Sequence, residues 1–246
     1  MATIRAYHRP GSLDEALTLL AETGATILAG GTVVNGPLED VPTDVVDLQA
    51  LGLDAIEADG DRLRLGSMVR LSDLEASELA PALLRDLARR EAPNTLRNAA
   101  TVGGTVVAAD PESELLAGLL AFDAAATVIR SNGTETMPLG DLLEDRSRLA
   151  AGIVTSVSVD VGGEATAERT GRTPADRPIV MTVARRAEDG STRLAMTGVH
   201  STPVLVELDA LDGLEPPADF RGSTVYRREL AGILARRAMT RLGEAS

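Results

Sequence analysis

Two short glycine segments constrain this chain more than any other feature. Ile27-Leu28-Ala29-Gly30-Gly31-Thr32-Val33-Val34 is an apolar strand that runs into Gly-Gly-Thr. Thr101-Val102-Gly103-Gly104-Thr105 repeats that grammar inside residues 97–123, RNAATVGGTVVAADPESELLAGLLAFD. Glycine reaches backbone conformations closed to other residues and lets a ligand approach the main chain. Two such turns predict N–H groups offered from two sides to one diphosphate, with the Thr101 and Thr105 hydroxyls beside them. Taken alone, either pair reads equally well as an ordinary turn. Neither fits GxGxxG or GxxxxGK followed by Ser or Thr, so the dinucleotide fingerprint and the P-loop are both absent.

A helix is predicted after the second pair. Asp110 suits its N-cap, Pro111 its first position, and Glu112 and Glu114 complement the positive end of the dipole. Leu115, Leu116, Leu119 and Leu120 mark its buried face.

Composition closes off several classes of function. All 24 basic residues are Arg, and the net charge of −13 opposes binding to nucleic acid, whose phosphates need a cationic face. With no Cys the chain has no disulfide, no thiol nucleophile and no cysteine-held iron–sulfur cluster of its own. His8 and His200 lie far apart, so the sequence offers no zinc motif. The start, MATIRAYHRP, lacks the apolar core of a signal peptide. The apolar run from Leu115 meets Asp123 well short of a membrane span. A cytoplasmic protein is expected, without a membrane span. No GxSxG elbow or HExxH pair occurs, so no catalytic residues are assigned.

The pattern along the chain predicts three lobes, at residues 1–51, 52–161 and 162–246. The first is a β-α-β unit: a strand at 3–7, a helix capped by Ser12 with Glu15 and stopped by Gly24, and strands at 26–28 and 45–48, with a break at Asn35-Gly36-Pro37. The second has a hairpin (55–58 and 62–66), helices at 71–76 and 81–91, and the glycine segment with its following helix. It continues through a hairpin across Ser131-Asn132-Gly133 and a short helix at 138–143 to a strand at 152–161. The third opens on a hinge at Gly162-Gly163. Residues 169–177 read as a loop, 179–186, 192–200 and 204–207 as strands, and 213–219 as a linker. Residues 220–242 carry the last helix, with Leu230, Ile233 and Leu234 as its core stripe.

At these residues the chain resembles a known family. AGGT (29–32), RNxATVGG (97–104) with a proline-led acidic helix start, Tyr7-His8-Arg9-Pro10-Gly11-Ser12-Leu13, Val46-Asp47-Leu48, Leu65-Gly66-Ser67 and SxxYRRxLAxxLxRRA (223–238) fall in the order found in FAD-binding medium subunits of molybdenum hydroxylases. That family includes the carbon monoxide dehydrogenase medium subunit and the flavin domain of xanthine dehydrogenase. The resemblance implies an α+β fold. Its two flavin lobes would be of the PCMH or vanillyl-alcohol oxidase-like type, followed by a C-terminal α+β lobe like that of carbon monoxide dehydrogenase flavoproteins.

It also implies an oxidoreductase subunit with FAD as cofactor. Residues 28–34 and 101–105 would wrap the diphosphate and ribityl groups. Glu114, at a position usually Asp, would hold hydroxyls of the nucleotide, and Val154 would touch the ring. Arg169 or Arg172 would stand in for a Lys common near the start of the third lobe. Val33 and Thr105 depart from the family pattern, which has an acid or amide at the first and Asn at the second. The implied partners are a molybdopterin-binding large subunit and a [2Fe–2S] small subunit, with electrons passing through this chain to an external acceptor. A flavin-free assembly subunit and a free-standing flavin oxidase are the alternatives.

Overall fold

The computed structural model describes residues 4–32, 43–173 and 176–244. Among them three sheets form, of three, five and four strands.

In the first, β1 (Ile4–His8) and β2 (Thr26–Leu28) both pair in parallel with β3 (Thr43–Asp47) between them. A parallel ladder needs a crossover, and α1 (Leu13–Thr23) supplies one between β1 and β2. Its ends follow the sequence closely. Ser12 Oγ accepts from Glu15 N–H at 3.2 Å, Glu15 reaches back to Gly11 N–H at 2.8 Å, and Gly24 closes the helix at φ 62°. The break at residues 35–37 lies outside the described residues.

The second sheet runs β4 (Ile56–Asp59), β5 (Arg62–Gly66), β8 (Ile153–Asp160), β6 (Ala125–Arg130), β7 (Gly133–Pro138), antiparallel throughout. Its helices are α2 (Leu71–Ala76), α3 (Ala82–Glu91), α4 (Asn94–Arg97), α5 (Val102–Ala108), α6 (Glu114–Ala121) and α7 (Leu139–Glu144). Every residue of α6 is buried, as expected of a helix that is apolar all round. Gly118 permits that burial, since a Cβ there would sit 2.4 Å from Leu87 Cδ1 of α3.

The third sheet, β12 (Val204–Val206), β11 (Thr192–Thr197), β10 (Val180–Arg186) and β9 (Glu164–Thr170), packs one face on α6 and the other on α8 (Thr224–Glu244). Met181, Val183 and Ala195 join the same apolar core as α6 and β8, so the core is continuous across that junction.

Five expectations need correction. Gly103-Gly104 is not a turn: it lies in the first helical turn of α5. Thr101 Oγ1 caps that helix by accepting Gly104 N–H at 3.0 Å, and burial of Val102 and Val106 outweighs the poor helix propensity of glycine. The next helix starts at Glu114, not at Asp110. Ser113 caps it (Oγ to Leu116 N–H, 3.0 Å), while Asp110 instead makes a turn by accepting Glu112 N–H at 2.9 Å.

Residues 164–170 form β9, so the expected loop begins only at Gly171. Gly162-Gly163 is closely packed rather than a free linker: a Cβ on Gly163 would fall 2.0 Å from Arg186 O, and Arg185 donates to Gly162 O. In α8, Ile233 faces outward, and the buried stripe is Arg227, Ala231, Leu234, Ala235, Ala238 and Leu242. Small alanines let this helix lie close on the sheet.

Candidate functional site: a cleft between the first two lobes

Where the parallel sheet meets the five-stranded lobe there is a cleft of about 850 Å³, near the upper end of the size range for small-molecule sites. One wall is the turn after β2. Gly30 is seated directly on the opposite lobe: a Cβ there would lie 1.8 Å from Ala99 O, so only glycine allows the approach. Gly31 sits at φ 71°, the left-handed region. Among the described residues, the N–H groups of Gly30, Gly31 and Thr32 have no backbone acceptor.

The facing wall is α5. All of its early N–H groups are already engaged. Val102 donates to Val69 O at 2.9 Å, Gly103 to Ser67 O at 2.8 Å, Gly104 to the Thr101 cap and Thr105 to Thr101 O at 2.9 Å. The second glycine pair therefore offers no free N–H group, and among the described residues the first pair alone leaves such groups uncommitted at the cleft. The two glycines differ. A Cβ on Gly103 would strike Ser67 Cβ at 2.6 Å, whereas one on Gly104 would meet only Thr101 Oγ1, at 3.0 Å, and otherwise enter the cleft. The Thr105 hydroxyl donates back to Thr101 O at 3.0 Å.

Apolar side chains line the middle of the cleft, among them Val154, Ile153, Leu149, Leu96 and Val107. One part of the lining is charged, where Arg177 pairs with Asp110 and reaches the Glu91 carbonyl. Burial pushes the Glu91 carboxyl up from its usual range, against the pull of hydrogen bonds from Leu115 N–H (2.9 Å) and Ser113.

Just beyond, three alternating acids each meet an arginine of the third lobe: Asp110 with Arg177 (2.5 Å), Glu112 with Arg221, and Glu114 with Arg169 (3.0 Å). Gly198 N–H donates to Pro111 O in their midst at 3.1 Å. Long-range ion pairs thus hold the acids expected to complement a helix dipole.

Of the residues singled out from sequence, Ala29, Gly30, Gly31, Thr32, Thr101, Gly103, Gly104, Thr105 and Val154 line this cleft. Leu28 ends β2 just behind the turn, and Val102 is buried in the core. Val33 and Val34 lie outside the described residues. Glu114 is buried and is not among the residues lining the cleft. Burial raises its pKa, partly offset by Arg169 and Arg90, and its Oε2 has no partner among the described residues. Arg169 is committed to Glu114, and Arg172 lies over the Phe220 ring at 5.9 Å, so the cation that reaches the cleft is Arg177.

Ser67, Glu91, Asp110 and Arg177 also line it without having been picked out as site residues. Ser67 stood in the sequence only within the Leu65-Gly66-Ser67 pattern, and Asp110 only as an expected helix cap. The cleft suits a long ligand with a flat apolar portion and an anionic portion. Among the described residues, the N–H groups at 30–32 have no backbone acceptor and the buried Ser67 Oγ has no partner, a donor set that fits the anionic portion.

Comparison with known proteins points the same way. A family model described as the FAD binding domain in molybdopterin dehydrogenase matches residues 2–159. The uncharacterized protein YgfM of Escherichia coli (strain K12) is 31% identical over 248 residues, covering 94% of this chain and 93% of that protein. The carbon monoxide dehydrogenase medium chain of Hydrogenophaga pseudoflava is 28% identical over 272 residues, covering 95% of each. In the solved carbon monoxide dehydrogenase from the same organism, one chain superposes with a TM-score of 0.87 at 24% identity, over 98% of this chain and 97% of that one.

Proposed function

The chain belongs to the family of FAD-binding domains of molybdopterin dehydrogenases, and from that premise we propose that it is the FAD-bearing subunit of a molybdenum hydroxylase-type complex. In such a complex it receives electrons from a [2Fe–2S] partner and passes them to an external acceptor, while a molybdopterin partner oxidises the substrate. The observation that carries this reading is the cleft itself, in which a glycine turn with uncommitted N–H groups faces a glycine wall across an apolar channel.

Each part of the chain has a task toward the cofactor. The N–H groups of Gly30, Gly31 and Thr32 would hold the diphosphate without a cationic side chain. Gly104 gives it room. Val154 and its apolar neighbours would cover the ring and exclude water. Bound FAD would supply the redox chemistry, and the protein positions and tunes it. Among the described residues no helix is long and apolar enough to cross a membrane.

A relay subunit differs from a free-standing oxidase in what it does alone. The isolated chain with FAD is expected to show no turnover with aldehydes, purines or carbon monoxide. Dithionite should nevertheless bleach its visible absorbance, and oxygen or a quinone should restore it. Substrate-dependent bleaching by this chain alone, at typical enzyme rates of about 1–1,000 per second, would replace the subunit reading with that of an oxidase.

A further inference from the structure

Ser67 stands between β5 and α2 with its main chain fixed at both ends. Its N–H donates to Thr155 O at 2.9 Å and its carbonyl accepts from Gly103 N–H at 2.8 Å. The residue is among those lining the cleft, with its Cβ against Gly103, yet it is only 3% exposed and its Oγ has no hydrogen-bond partner among the described residues. A buried hydroxyl left unsatisfied is destabilising, and alanine would fit the same space without that cost. The neighbouring hydroxyls are already engaged, Thr101 Oγ1 with Gly104 N–H and Thr105 Oγ1 with Thr101 O. Ser67 thus carries the hydroxyl on this wall that has neither accepted nor donated a bond.

We propose that Ser67 is a cofactor-positioning residue. After a turn about χ1, its single heavy-atom torsion, its hydroxyl donates to an oxygen of the FAD diphosphate. This complements the N–H donors of the opposite turn and replaces the second set that α5 does not offer. The inference rests on the FAD reading above.

Ser67→Ala separates the possibilities because binding and stability move in opposite directions. Affinity for FAD, read by flavin fluorescence during titration, should fall about tenfold to a hundredfold, the worth of one hydrogen bond to a charged acceptor. ADP, which keeps the diphosphate, should lose affinity by the same factor, and riboflavin, which lacks it, should not. The ligand-free variant should melt at the wild-type temperature or above it, since an unsatisfied hydroxyl has been removed. Wild-type affinity for FAD in Ser67→Ala would overturn this assignment alone. So would an equal loss for riboflavin, or a lower melting temperature in the ligand-free variant. A wild-type chain that binds neither FAD nor ADP would overturn the FAD reading with it.

Discussion

Gly104→Val is expected to remove FAD binding and leave the fold standing, whereas Gly103→Val, one residue earlier, should do the reverse. A side chain at Gly104 meets only the tip of Thr101 at 3.0 Å and then fills the cleft. The ligand-free protein should therefore keep its stability to within about 1 kcal/mol, because valine also relieves the helix penalty of glycine. A ligand held off the α5 wall loses its reach to the Gly31 turn. Each hydrogen bond to charge lost that way costs about 1.5–3 kcal/mol, or roughly tenfold to more than a hundredfold in affinity.

At Gly103 the new Cβ would lie 2.6 Å from Ser67 Cβ and 2.8 Å from Ser67 O. The backbone of β5 or α5 must then move, at about 3 kcal/mol or more, the upper end of overpacking costs. Thermal melting of both ligand-free variants, with FAD titrations alongside, checks the contrast. If Gly104→Val loses stability and FAD affinity in parallel, both glycines are there for packing and the wall is no binding surface.

The largest loss of stability should come from Arg185, far from the cleft. Its guanidinium is 1% exposed, donates twice to Gly162 O (3.1 and 2.8 Å), pairs with Asp160 at 2.6 Å and lies over the Phe122 ring at 5.2 Å. One side chain thus ties β10 to the end of β8, to the end of α6 and to the start of β9. Arg185→Ala leaves Gly162 O without its two donors, leaves Asp160 with only the Gly162 N–H bond at 2.9 Å, and opens a void. Breaking a buried pair in this way costs about 3–5 kcal/mol, or roughly 6–20 °C of melting temperature for a chain of this size. Arg185→Lys should recover little, since a lysine cannot grip one carbonyl with two donors while stacking on a ring.

Acid titration gives a second readout. Burial pushes the Asp160 carboxyl up, but Arg185 and Gly162 N–H more than reverse this, and its pKa lies below the ordinary value. A depressed carboxyl contributes stability above its unfolded pKa and loses it as pH falls through the folded one. That acid-side loss should shrink in Arg185→Ala. A melting shift under 2 °C together with an unchanged acid limb would show that the two lobes are joined by other contacts.

Much of this fold was legible in local sequence, because the signals were local. Ser12 and Gly24 bound α1 as caps do, and the hairpins follow their Gly60, Gly133 and Gly190 turns. The misreadings arose where distant contacts decide. Glycines in a row signal a turn, yet packing of Val102 and Val106, with the Thr101 cap, makes α5 helical. Arg169 and the prolines after it look like loop, but Arg169 sits in β9 opposite Met181 of β10, and its charge meets the distant Glu114. At the site, the repeated Gly-Gly-Thr placed two segments on one cleft. Their different roles were hidden, since the acceptors that take the Val102 and Gly103 N–H groups lie at Val69 and Ser67, more than thirty residues earlier. Arg177 was equally invisible as a lining residue of the cleft, because its partner Asp110 is 67 residues away. Spacing along the chain carries no trace of such a pair.

The central claim is that this cleft holds FAD without a covalent link, and titration of the cofactor-free wild-type chain tests it most directly. Flavin fluorescence and visible absorbance should report one saturable site per chain, selective for FAD over FMN, because FMN lacks the second phosphate and the adenosine that the Gly30–Thr32 N–H groups and the rest of the cleft would hold. Denaturation followed by filtration should release FAD intact. A folded, colourless chain that shows no saturable FAD binding would contradict the account.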